Sequence, residues 1–94
     1  MDKPQLMIVE DNTDLSDMLN AYFRVQNYDV LVANWGEEAL RLSKEHKIDL
    51  VVLDIRLPDI DGYEVCRQLR LHRRTADVPI IFLTEKRDRV DKLQ

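Results

Sequence analysis

Three carboxylates and one hydroxyl stand directly after apolar runs in this chain. Glu10 and Asp11 follow Leu6-Met7-Ile8-Val9, Asp54 follows Val51-Val52-Leu53, and Thr84 follows Ile80-Ile81-Phe82-Leu83. Each run is short and carries no charge, as expected of a strand buried on both faces. If the strands ending at Glu10-Asp11 and at Asp54 are neighbours in a parallel sheet, their ends lie about 4.8 Å apart. Three carboxylates then converge at one rim, where like charges raise each other's pKa unless a cation neutralises them. A hard divalent ion with oxygen ligands does so, and Mg2+ is the usual one beside phosphate chemistry.

The elements that must position these groups alternate along the chain. Gln5–Val9 reads as a strand. Thr13–Val25 follows as a helix with Leu15, Met18, Leu19 and Tyr22 at i, i+3, i+4 and i+7 on one face. Asp29–Ala33 is a second strand. Asn34 stands three residues before Glu37, the spacing of a capping box that opens a helix over Glu38–Glu45. Asp49–Leu53 is the third strand, bounded by Pro58-Asp59-Ile60-Asp61-Gly62. Asp61 opens a third helix with Val65, Cys66 and Leu69 as its apolar stripe, Pro79–Leu83 is the fourth strand, and Asp88–Gln94 begins a further helix. This order predicts a doubly wound α/β fold, a parallel sheet with right-handed crossovers and helices on both faces. Ligands of such folds sit outside the carboxyl ends of the strands. Glu10, Asp11, Asp54 and Thr84 all belong to that rim.

Composition narrows the function classes. Ninety-four residues make one small domain, and a net charge of −4 argues against nucleic acid or an anionic membrane as its main partner. One cysteine, Cys66, forms no internal disulfide, which fits a reducing cytoplasm. The apolar stretch after Met1 is too short for a signal peptide, and no stretch approaches the roughly 20 apolar residues that span a bilayer. Arg67, Arg70, Arg73 and Arg74 read as cations complementing a helix carboxyl end rather than as a nucleic-acid patch. His46 and His72 share no metal-ligand spacing and are expected in water at helix ends. Trp35 is expected at the rim after the second strand, and Cys66 in the core.

At this level of detail the chain resembles the receiver domain of two-component response regulators. The matching pieces are Glu10-Asp11, the strand-ending Asp54 with the segment Asp54-Ile-Arg-Leu-Pro-Asp-Ile-Asp-Gly62, and Val78-Pro-Ile-Ile-Phe-Leu closing on Thr84. The resemblance implies a flavodoxin-like sheet of order 2-1-3-4-5 and transfer of a phosphoryl group from a sensor histidine kinase to Asp54. It implies Mg2+ held by Asp11, Asp54 and the main-chain carbonyl of Arg56, with Glu10 in support. It also implies that Thr84 hydrogen-bonds the phosphoryl oxygen and switches position to control an output domain, in keeping with transcription control. A carboxylate is a weak nucleophile, so charge neutralisation and in-line positioning are what its attack on phosphorus needs.

Family members continue with a fifth strand, whose lysine contacts the phosphoryl group, and a fifth helix. The chain ends at Gln94, Lys86 and Lys92 lie on a different element, and Glu85 stands where a small residue is common. The expectation is therefore an incomplete sheet of four strands and three full helices plus the start of a fourth. It extends to weakened phosphorylation and to a homodimer or exchanged oligomer that covers the fourth-strand edge. Two other classes are weighed. A phosphatase of the haloacid dehalogenase type needs a second aspartate two positions after the nucleophile, and Arg56 stands there. A receiver-like interaction module with impaired phosphorylation is the alternative; the complete acidic site argues against it and the missing fifth-strand lysine argues for it.

Overall fold

A computed structural model describes residues 3–83, with elements β1 (Gln5–Val9), α1 (Thr13–Val25), β2 (Asp29–Ala33), α2 (Gly36–Glu45), β3 (Leu50–Asp54), α3 (Gly62–Leu71) and β4 (Ile80–Leu83). The strands form one parallel sheet in the order β2-β1-β3-β4. This is the flavodoxin-like, doubly wound order, with β1 and β3 in the middle.

Burial of the apolar runs on both faces follows from the two-residue period of a strand. In β1, Leu6 and Ile8 point to one face and Met7 and Val9 to the other, and all four are fully buried. Met7, Val9, Val51 and Leu53 pack with Ala39 and Leu40 of α2 and Val65 and Leu69 of α3. Leu6, Ile8, Val30 and Val52 pack with Leu19 and Phe23 of α1. Cys66 is half-buried at the edge of the first cluster rather than inside it.

Three expectations about the elements change. The inward face of α1 carries Ser16, Leu19 and Phe23, whereas Met18 and Tyr22 are 60% and 56% exposed. The expected stripe mixed two adjacent faces, because a small polar residue, Ser16, takes a buried place that apolar patterning does not reveal. Its hydroxyl donates to the Thr13 carbonyl, which removes the cost of burying it. The second change concerns strand limits. β4 starts at Ile80, one residue after Pro79, which accepts from Val51 N–H but has no N–H to return. β3 keeps Asp54, paired with Leu83, as its last residue, and Asp49 lies just before it.

The third change is the start of α2. The helix begins at Gly36, and Asn34 is no N-cap; its N–H donates to Glu38 instead of meeting Glu37. The other two helices are capped from the position directly before them, Asp61 as expected. Asn12 accepts from Leu15 N–H to cap α1, and Asp61 accepts from Tyr63 N–H to cap α3. Helix α1 closes with Tyr28 N–H on Phe23 O and Asn27 N–H on Arg24 O, a Schellman arrangement with Asn27 at φ 74°. Arg70 and Arg74 bond carbonyls near helix ends, in keeping with the expectation, while Arg67 pairs within α3. Arg70 donates to the carbonyls of Thr75, Ala76 and Val78, Arg74 donates to the Lys44 carbonyl, and Arg67 pairs with Glu64 at 2.6 Å. His46 and His72 are the C-terminal caps of α2 and α3. No helix among the described residues is long and apolar enough to cross a membrane. The expected helix over Asp88–Gln94 lies outside the described residues.

Candidate phosphoryl-acceptor and metal site

Register builds the site. Val9 pairs with Leu53 on one side and Ala33 on the other, so Glu10 leaves β1 beside Asp54, the last residue of β3. Glu10 N–H continues the ladder onto the Ala33 carbonyl at 2.9 Å. One carboxylate oxygen from each of Glu10, Asp11 and Asp54 then falls within 4.8 Å of the others, with Glu10 and Asp54 buried and Asp11 exposed. Two buried carboxylates and one open to water give an oxygen-only cluster with a wet side, which suits a hard cation.

The electrostatics carry the mark of that crowding. Burial pushes the Glu10 carboxyl up to about 7, with the Asp54 charge and hydrogen-bonded neighbours adding to the rise. The Asn12 N–H opposes it by donating to Glu10 Oε2 at 3.0 Å. A cluster whose Glu10 carboxyl is raised into the neutral range can exchange its proton for a divalent ion.

The segment between β3 and α3 closes over Asp54. Arg56 N–H donates to Asp54 Oδ1 at 3.2 Å, and Arg56 is exposed. Gly62 N–H donates to the Ile55 carbonyl at 2.8 Å. A Cβ at Gly62 would collide with the Asp54 carbonyl and the Ile55 Cα, main-chain atoms that cannot step aside, so the approach requires glycine. Leu83, paired with Asp54, brings β4 to the same rim. Thr84, the next residue, lies outside the described residues, as do Glu85, Lys86 and Lys92.

Sequence reasoning missed two groups around this rim. Asn34 Nδ2 donates to the Glu10 carbonyl at 2.8 Å, tying the β2–α2 turn to the acidic pair. Asp59 caps α2 from outside that helix. Its two carboxylate oxygens accept from Gly36 N–H and Glu37 N–H, each at 2.8 Å, because the residue in the cap position, Trp35, offers no acceptor. The slight burial of Asp59 is outweighed by these donors, which hold its carboxyl below the usual range. No local pattern links residues 23 positions apart, though a helix opening on Trp-Gly-Glu without an acceptor does ask where one comes from. Trp35 itself is at the rim as expected, and 52% exposed.

The response regulator receiver domain model matches residues 6–94. This chain belongs to the receiver domain family. It is 42% identical over 88 residues to the transcriptional regulatory protein AfsQ1 of Streptomyces coelicolor, covering 94% of this chain and 38% of that protein. It is 39% identical to the alkaline phosphatase synthesis transcriptional regulatory protein PhoP of Bacillus subtilis, covering 95% and 36%. The receiver therefore spans less than half the length of these relatives. Among solved structures, the receiver domain of a Pseudomonas aeruginosa sensor histidine kinase, crystallised with magnesium coordinated in its active-site cleft, superposes with a TM-score of 0.86. That pair is 30% identical, over 99% of this chain and 76% of the other. The non-phosphorylated HemR receiver domain of Leptospira biflexa superposes at 0.79 with 32% identity, over 97% and 74%.

Proposed function

We propose that Asp54 of this receiver accepts a phosphoryl group from a phosphohistidine of a sensor histidine kinase. The observation that carries the reading is the convergence of Glu10, Asp11 and Asp54 within 4.8 Å at the strand-end rim. An Asp54 carboxylate oxygen forms the new bond to phosphorus as the phosphorus–nitrogen bond breaks and the imidazole keeps the electron pair. Asp11 and Asp54, with the Arg56 carbonyl, would hold Mg2+, and Glu10 supports them. The magnesium-bearing Pseudomonas relative and the oxygen-only donor set favour that ion. When bound, it neutralises the carboxylates and the charge on the transferring oxygens.

The remaining work falls to the chain's own groups. The Arg56 N–H bond orients the Asp54 carboxylate at the rim. Thr84 would donate its hydroxyl to a phosphoryl oxygen, which Ala or Val could not do. The transcriptional regulators AfsQ1 and PhoP support the wider reading of a response regulator whose output is transcription. Intact mass after incubation with acetyl phosphate and Mg2+ tests it. One phosphoryl group is expected on the wild type and none on Asp54→Ala, and a label that persists in Asp54→Ala overturns Asp54 as the acceptor.

A further inference from the structure

We propose that Asp59 is a positioning residue for the metal site, acting by clamping the β3–α3 loop onto the first turn of α2. The inference rests on the reading above, in which the Arg56 carbonyl is a metal ligand. That carbonyl sits on a loop whose two ends are fixed by β3 and by the Gly62 N–H bond to Ile55. Its apex, Leu57–Ile60, has its own anchor on α2. Asp59 accepts two main-chain N–H bonds there, and Ile60 presses so close to Gly36 that a Cβ on that residue would collide with it. Two charge-assisted bonds and one close apolar contact therefore join the loop to the first turn of α2.

The clamp works in both directions. A loop held by α2 presents Arg56 in one arrangement, so ion binding does not have to order it. By linkage, an ion that fixes the loop must tighten the Asp59 bonds to Gly36 and Glu37 by the same factor. A plain helix cap would stabilise α2 and leave ion binding unchanged, so the two roles separate by experiment.

Trp35 precedes Gly36 and is half exposed, which makes its fluorescence a reporter of the clamp. Mg2+ is titrated against Trp35 emission in wild type, Asp59→Ala, Asp59→Asn and Asp54→Asn of the intact chain. Amide exchange at Gly36 and Glu37 is followed with and without Mg2+. Asp59→Ala is expected to weaken Mg2+ binding roughly five-fold, the equivalent of one lost cap. Asp59→Asn keeps one of the two acceptors, loses the charge and sets its NH2 against the other N–H, so its affinity should fall between wild type and Asp59→Ala or match Asp59→Ala. Mg2+ should slow exchange at Gly36 and Glu37 in the wild type and not in Asp54→Asn. An unchanged Mg2+ midpoint in Asp59→Ala, or Asp59→Asn binding Mg2+ as tightly as the wild type, overturns the clamp and leaves the site intact. Mg2+ without effect on wild-type Gly36 and Glu37 exchange overturns it as well. Absence of any Mg2+ binding to the wild type overturns the clamp together with the metal-site reading.

Discussion

Glu10 is the residue at which fold and chemistry conflict. Burial, with the Asp54 charge, raises its carboxyl from the ordinary 4.5 to about 7, so the fold favours the protonated form. That contribution to stability is full below about pH 4.5 and is lost as the pH rises toward 7. Shared with Asp11 and Asp54, it amounts to on the order of 1–3 kcal/mol. Thermal melts in EDTA should therefore show wild type losing stability relative to Glu10→Gln between pH 4.5 and 7. Saturating Mg2+ should remove the difference in slope, and parallel curves in EDTA would show that Glu10 carries no such strain. At Asp54, the matching expectation is that Asp54→Asn loses the Mg2+ response of the wild type, because it removes one of the paired carboxylates. An equal fluorescence response in both proteins would place the ion elsewhere. Gly62→Ala is expected to destabilise the domain by about 1–3 kcal/mol, since its Cβ meets main-chain atoms of Asp54 and Ile55 that have no room to move. Chemical denaturation measures it.

At the scale of the elements, helix ends depend on where acceptors are found. Asn12 and Asp61 cap α1 and α3 from the position directly before each helix, as their types imply. Helix α2 opens after Trp35 and takes its acceptor from Asp59 on another loop. At the other end of α1, Asn27 occupies the left-handed region at φ 74°. Asparagine tolerates that region and alanine does not, so Asn27→Ala should cost about 1 kcal/mol while Asn27→Gly stays within a few tenths. Equilibrium unfolding of the two variants decides it, and equal losses would show that the contacts of the Asn side chain matter rather than its backbone. The basic stretch at the end of α3 belongs to the same account. Arg70 alone satisfies three carbonyls after the helix, which leaves less of it for a nucleic-acid phosphate.

At the scale of the molecule, the described residues cover the two sheet faces unequally. On the α2–α3 face the apolar residues close into a continuous core. On the α1 face Met18, Tyr22 and Val25 of the helix are more than half exposed, as is Ile81 of β4, which pairs with Val52 of that same core. Among the described residues β4 is also a sheet edge, with unpaired main-chain groups beside apolar side chains. Burying apolar surface stabilises by about 25 cal/mol per Å², so covering a few hundred Å² is worth several kcal/mol. A polypeptide of these 94 residues is therefore expected to associate at micromolar concentration. Sedimentation velocity checks this, and a single monomeric species with a cooperative melt overturns it.

The strand runs, the order of elements and the three strand-end carboxylates were all legible in the sequence, because each depends on neighbours within a few residues. An uncharged run of four apolar residues has to be covered on both faces, and its first polar residue has to stand at the rim. The inward face of α1 was not legible, since Ser16 hides its burial behind a hydroxyl that bonds its own helix. The rise of the Glu10 carboxyl was expected in direction from the converging carboxylates, but not its largest cause, the burial of Glu10 itself, which only the packed fold shows. Least legible was the Asp59 cap on α2. Its two bonds join residues far apart in the chain, and only the packing of Ile60 against Gly36 brings that carboxylate to the helix. Local periodicity determined which elements form and where their polar ends lie. Tertiary packing decided which side chains meet, because burial and hydrogen-bond satisfaction are settled by neighbours in space and not by neighbours in sequence.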